Sequence, residues 1–129
     1  MTYLLDTHTF VWAVADPVRL GQEGLARLSD PSSELFVSTA TAWELATKVR
    51  LGRFDEAEPL VAQYGPLVQR LGASHIPISH AHALRSGSLV WAHRDPFDRM
   101  LAAQSMLEHH CLITRDQEFS ALGGLETVW

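Results

Sequence analysis

The sequence is poor in cysteine: Cys111 is the only one, which excludes a disulfide framework and a cysteine-built zinc site. It reads as a small buried hydrophobe within the strand-like Cys111-Leu112-Ile113. No apolar run approaches the roughly 20 residues that cross a bilayer. The opening Met1 to Asp6 reaches an acid too early for a secretory leader, so a cytoplasmic protein without membrane contact is expected. Basic residues are also scarce. Ten Lys and Arg stand against 15 Asp and Glu, a net charge of −5, which argues against nucleic-acid binding through a broad basic face and leaves only local contacts to phosphate. The histidines lack the i, i+4 spacing of a zinc-protease helix, in His80-Ala81-His82 and His109-His110 alike. No internal repeat, low-complexity tract or linker divides the chain, and 129 residues suit one domain, 1–129, with its own core.

Short apolar runs alternate with helical patterns. Tyr3-Leu4-Leu5, Leu35-Phe36-Val37, Ser74-His75-Ile76 and Cys111-Leu112-Ile113-Thr114 read as strands, with Glu126-Thr127-Val128 as a possible fifth. Helices are expected from Thr9 to Ala15, Gly21 to Leu28, Ala40 to about Leu51, after Ser79 through Leu84, and from Pro96 to about His109. Between Asp55 and Leu71 the apolar spacing is helical, but Gly65-Pro66 predicts a bend or two short helices. All-apolar strands separated by helices imply an α/β domain of three layers, a central parallel sheet of four to five short strands flanked by helices. Trp12 and Trp43 fall at core-like helical positions, while Trp91 lies in a loop and could face either way.

In such sheets a ligand crevice opens beyond the carboxyl ends of the strands. Asp6 and Asp116 both stand there, although an aspartate after a strand is often only a turn former or helix cap. Asp98 lies in the first turn of its helix beside Ala102 and Ser105, where small neighbours leave room for a cleft; favourable interaction with the helix dipole is its plain alternative. Glu44 sits among Ala40, Thr41 and Thr47, with an ion pair to Lys48 as the ordinary explanation. Asp95 is accounted for as the cap of the Pro96 helix and stays secondary. Crowded carboxylates repel unless a hard cation neutralises them, so the four together point to Mg²⁺ or Mn²⁺ and to phosphodiester chemistry with a metal-bound water.

These residues carry a family resemblance along essentially the whole chain. Leu4-Leu5-Asp6-Thr7-His8, Ser38-Thr39-Ala40-Thr41-Ala42-Trp43-Glu44-Leu45 with Lys48 and Leu51-Gly52-Arg53, Arg94-Asp95-Pro96-Phe97-Asp98-Arg99-Met100-Leu101-Ala102, and Leu112-Ile113-Thr114-Arg115-Asp116 together resemble a PIN domain of the VapC toxin class. The resemblance implies a metal-dependent endoribonuclease, the toxin of a toxin-antitoxin pair, with Asp6, Glu44, Asp98 and Asp116 as its acidic quartet and Mg²⁺ or Mn²⁺ as cofactor. It places Thr7 and Thr114 at polar positions beside that quartet, and His8 where the wider group more often has Asn. It also implies a homodimer and a VapB-like antitoxin that inserts a basic side chain among the acids. Lys48, Arg50, Arg53, Arg94, Arg99 and Arg115 are the local cations that could meet RNA. The competing readings are a catalytically silent module of the same fold that binds RNA or protein, which would be expected to lack part of the quartet, and a receiver-like phosphoacceptor. The latter needs acids paired beside the first strand and a lysine after a late strand, and neither is present.

Overall fold

A computed structural model describes residues 1–129. Five strands, β1 (Thr2–Leu5), β2 (Glu34–Ser38), β3 (Ala73–Ile76), β4 (Cys111–Ile113) and β5 (Thr127–Val128), form one sheet in the order β3-β2-β1-β4-β5. Every neighbouring pair is parallel. β1 lies at the centre, with Leu4 level with Phe36 on one side and Leu112 on the other. Seven helices connect the strands: α1 (Thr7–Ala15), α2 (Gln22–Ser29), α3 (Thr39–Arg50), α4 (Glu58–Ala62), α5 (Tyr64–Arg70), α6 (His80–Ser88) and α7 (Pro96–Glu108). This is the α/β architecture expected from the alternating pattern. No helix is long and apolar enough to cross a membrane.

The pleat explains why the strands are apolar on both faces. Tyr3 and Leu5 point into one core with Phe10, Val37, Leu45 and Ile113. Leu4 points the other way, into a second core with Leu101, Leu112 and Phe119. Leu4, Leu5, Leu112 and Ile113 have no solvent exposure. Burial on that scale contributes about 1.5–3 kcal/mol per large side chain.

The helix boundaries follow from capping. α1 starts at Thr7, two residues before the periodicity suggests, because Asp6 caps it by accepting from the Thr9 amide at 2.8 Å. Ser38 caps α3. The break in the 55–71 stretch falls at Gln63 rather than at Gly65-Pro66, and Pro66 sits within the first turn of α5, where its missing N–H costs no helical bond. α6 runs to Ser88, beyond the expected end, after a capping box in which Ser79 and His82 bond reciprocally. Gly21, at the start of α2, leaves no room for a side chain, since a Cβ there would stand 2.5 Å from Trp129. Trp12 is buried as expected, but Trp43 is 54% exposed, its ring resting edge-on against Phe97. The helical spacing that suggested a core position is shared by the border of the buried face, and Trp43 lies on that border.

Candidate active site

The carboxyl ends of β1 and β4 lie side by side, so the residues that leave them meet. Asp6 is nearly buried; one carboxylate oxygen accepts from the Thr9 amide and the other from the Thr114 hydroxyl. Burial pushes its carboxyl above the usual range, and these hydrogen bonds hold it back. Thr114 also accepts from the Asp116 amide at 3.0 Å, so a single hydroxyl links the two strand-end acids. Asp116 itself is exposed and caps a short 3-10 turn, Gln117–Ala121, by accepting from Glu118 N–H at 2.9 Å.

Two helices bring the remaining acids to this edge. Glu44 projects from α3 and is 3% exposed. It accepts from the Thr7 hydroxyl at 2.5 Å and pairs with Lys48 one turn on. The i, i+4 ion pair therefore exists, but it is sunk into the edge of the sheet instead of lying on a solvated face. Asp98 stands in the first turn of α7, with His93 Nε2 2.7 Å from its Oδ2. Burial pushes the Asp98 carboxyl up to about 6; the His93 hydrogen bond works against this, and the negative charges of Asp95 and Glu44 add to it. His93 is raised in turn, chiefly through that hydrogen bond.

Asp6, Glu44, Asp98 and Asp116 thus border one cleft of about 270 Å³ that has no apolar lining residue. Thr7, His8, Lys48, His93 and Asp95 complete its wall. Asp95 both lines this cleft and caps α7, accepting from Phe97 N–H at 2.9 Å and from Asp98 N–H at 3.4 Å. A second, wider cleft of about 490 Å³ shares Asp6, His8 and Asp116 with the first and continues past Trp12, Arg19 and Arg115. His8 stacks on Phe54 at 5.1 Å between ring centres while its residue remains exposed toward both clefts.

The cations expected near the rim divide into three kinds. Arg115 lines the wider cleft, and Arg50, Arg53 and Arg94 are exposed. Lys48 is engaged by Glu44. Arg99 faces inward, its guanidinium committing four of its five N–H donors to the carbonyls of Ser86, Leu89, Trp91 and His93 at 2.7–3.0 Å. Two residues escaped the sequence reading. Arg19 lies 4.5 Å from the centre of the Trp12 ring, and His93 sits directly in the acid cluster. The available signal for His93 was its place just before a helix whose first turn carries acids.

The donor set suits a divalent cation. One ligand atom from each of His93, Asp98 and Asp116 falls within 4.8 Å of the other two. The carboxylate oxygens match a hard divalent ion, and the imidazole is a donor that first-row transition ions accept.

Residues 3–125 match the PIN domain family. Over 60 residues, 46% of this chain, the sequence is 33% identical to Ribonuclease VapC16 of Mycobacterium tuberculosis (strain ATCC 25618 / H37Rv), and the matched stretch spans 43% of that protein. Among solved structures, VapBC2 from Rickettsia felis bound to a DNA fragment from their promoter aligns with a TM-score of 0.69 at 17% identity, covering 99% of this chain and 98% of the other. VapBC-1 from nontypeable Haemophilus influenzae aligns with a TM-score of 0.69 at 20% identity, over 99% and 97%. At these identities the structural likeness concerns the fold.

Proposed function

The chain belongs to the PIN domain family, and from that premise we propose that it is a divalent-metal-dependent endoribonuclease, the toxin of a toxin-antitoxin pair. The observation that carries this reading is the convergence of Asp6, Glu44, Asp98 and Asp116 on one wholly polar cleft. Burial raises the Asp6 and Asp98 carboxyls, and the negative charges of Asp95 and Glu44 raise Asp98 further; a cation among these acids would offset both effects. Asp6, Asp98, Asp116 and Glu44 would hold Mg²⁺ or Mn²⁺. When bound, the ion polarises the phosphodiester and lowers the pKa of a bound water to that of a usable nucleophile.

The chain's own groups do the positioning. Thr114 orients Asp6, Thr7 and Lys48 fix Glu44, and both hold these carboxylates before substrate arrives. RNA contact is local, through Arg115 and Arg19 along the wider cleft and through exposed Arg50, Arg53 and Arg94. A VapB-like antitoxin is the fitting inhibitor, because an arginine reaching into the cleft would pair bidentately with the acids in place of the ion. The named ribonuclease relative and the VapBC neighbours favour both halves of this reading. A homodimer in the cytoplasm is the expected working form, checked by sedimentation of the purified chain.

The decisive experiment incubates antitoxin-free protein with a cellular RNA pool under Mg²⁺, Mn²⁺ or chelator, beside Asp6→Asn and Asp98→Asn. Cleavage should require the ion and fall by at least about 100-fold in either variant. Cleavage that persists in both variants refutes the mechanism; intact RNA under every metal condition leaves a binding-only module.

A further inference from the structure

His93 is delivered to the acid cluster by a loop that the fold secures from several sides. Arg99 binds the His93 carbonyl and those of Trp91 and Leu89 behind it. The Trp91 ring packs 4.8 Å from the imidazole on one side and 5.5 Å from the buried Phe119 on the other. The imidazole is thereby directed into the cleft, half-buried, with Nε2 2.7 Å from Asp98 Oδ2. Adjacent ligands of an octahedral ion with bonds of about 2.1 Å stand about 3.0 Å apart. The His93–Asp98 separation is close to that spacing, and a ligand oxygen of Asp116 lies within 4.8 Å of both.

We propose that His93 is a nitrogen ligand of the divalent ion, shared with Asp98 and Asp116, and that it biases the site toward Mn²⁺ over Mg²⁺. The inference rests on the metal-dependent reading above. It adds a ligand of a different kind. Mg²⁺ is a hard ion that favours oxygen and keeps its waters, whereas Mn²⁺ accepts an imidazole more readily. A quartet of carboxylates alone discriminates little between them; replacing one oxygen position by nitrogen creates a preference.

The alternative role, an imidazole that only orients Asp98 by hydrogen bonding, also weakens metal binding when removed, often 10- to 100-fold. Affinity alone therefore does not separate the two. Pulsed EPR of Mn²⁺ bound to the full chain does, because a directly bound imidazole nitrogen imposes a ¹⁴N coupling on the electron spin. The wild type should show this coupling and His93→Gln should lose it. Competition titrations should show Mn²⁺ affinity falling by about tenfold or more in His93→Gln, with Mg²⁺ affinity changing by less than about threefold. If Mn²⁺ binds, Asp98→Asn abolishes binding, and the wild-type spectrum carries no ¹⁴N coupling, the ligand role is wrong while the metal site stands. Equal losses of Mn²⁺ and Mg²⁺ in His93→Gln overturn the bias toward Mn²⁺, and the ¹⁴N coupling decides between ligation and orientation. If the wild type binds neither ion, the metal-dependent reading fails and this proposal with it. The wild-type spectrum decides the nitrogen question even if the variant folds poorly.

Discussion

Replacing Asp98 by Asn should make the metal-free protein more stable while destroying its proposed activity. The carboxyl is moved from 3.8 to about 6 by folding, chiefly through burial. A displacement of about two units corresponds to about 3 kcal/mol against the ionised form. Partial exposure, 19% of the side chain, reduces this, and Asn keeps an oxygen to accept from His93, so a gain of about 1–2 kcal/mol is expected. For a chain of this size that is a rise in Tm of about 3–8 °C. The sign with pH is fixed by the direction of the shift. A carboxyl raised by folding favours the folded state fully below its unfolded value of 3.8, and that contribution is lost as pH rises through about 6. The advantage of Asp98→Asn should therefore be complete at pH 7.5 and shrink steadily between pH 6 and pH 4. Thermal unfolding in chelator across that range measures it, and saturating Mn²⁺ should reverse the order by stabilising the wild type alone. A variant no more stable than wild type at pH 7.5, or a gain independent of pH, would refute the argument that a buried, crowded charge is stored here.

Three further outcomes are expected. Lys48→Met leaves Glu44 buried without its cation and should cost about 1–3 kcal/mol in chelator, as read by urea denaturation; a smaller loss with Mn²⁺ present would show that the ion takes over the neutralising role. Arg99→Ala strips donors from four carbonyls, so a loss of about 2–4 kcal/mol should accompany faster hydrogen exchange of amides 89–95; exchange unchanged in that loop would contradict its assignment as the clamp. Gly21→Ala forces a Cβ against Trp129 and should lower stability by about 1–3 kcal/mol, with a change in tryptophan fluorescence as the ring moves; an unchanged Tm would mean that the terminal segment yields freely.

The sheet and the two strand-end acids were legible because local chemistry writes them plainly: an apolar run closing on Asp6, and another closing on Thr114 and Asp116. Glu44 was legible as a member of the acid set through its small neighbours Ala40, Thr41 and Thr47 and through the family resemblance, but the sequence alone does not say whether its helical stripe faces the sheet edge or, paired with Lys48, the solvent. His93 carried only the signal of standing just before a helix with an acid in its first turn, which does not place it in the cluster. Residues 89–95 have no periodicity, and their course is set by bonds from a distant side chain to backbone carbonyls, which leave no pattern in residue type. The same bonds turn inward an arginine that the sequence offered as a phosphate-binding cation. Its spacing says that it is basic, and only the fold says what it faces.

The hydrogen bond from Thr114 to Asp6 spans 108 residues, and β1 cannot acquire β4 as its neighbour until nearly that length of chain exists. Strands close to one another in sequence pair early; this contact closes a very large loop and belongs to the slow, late part of folding. A nascent chain that ends before Cys111 holds Asp6, Glu44 and Asp98 without the strand that aligns the first of them. Truncated products of translation consequently lack the assembled cleft, and the moment at which the charges come together is set by the last docking event of folding rather than by the synthesis of any one acid.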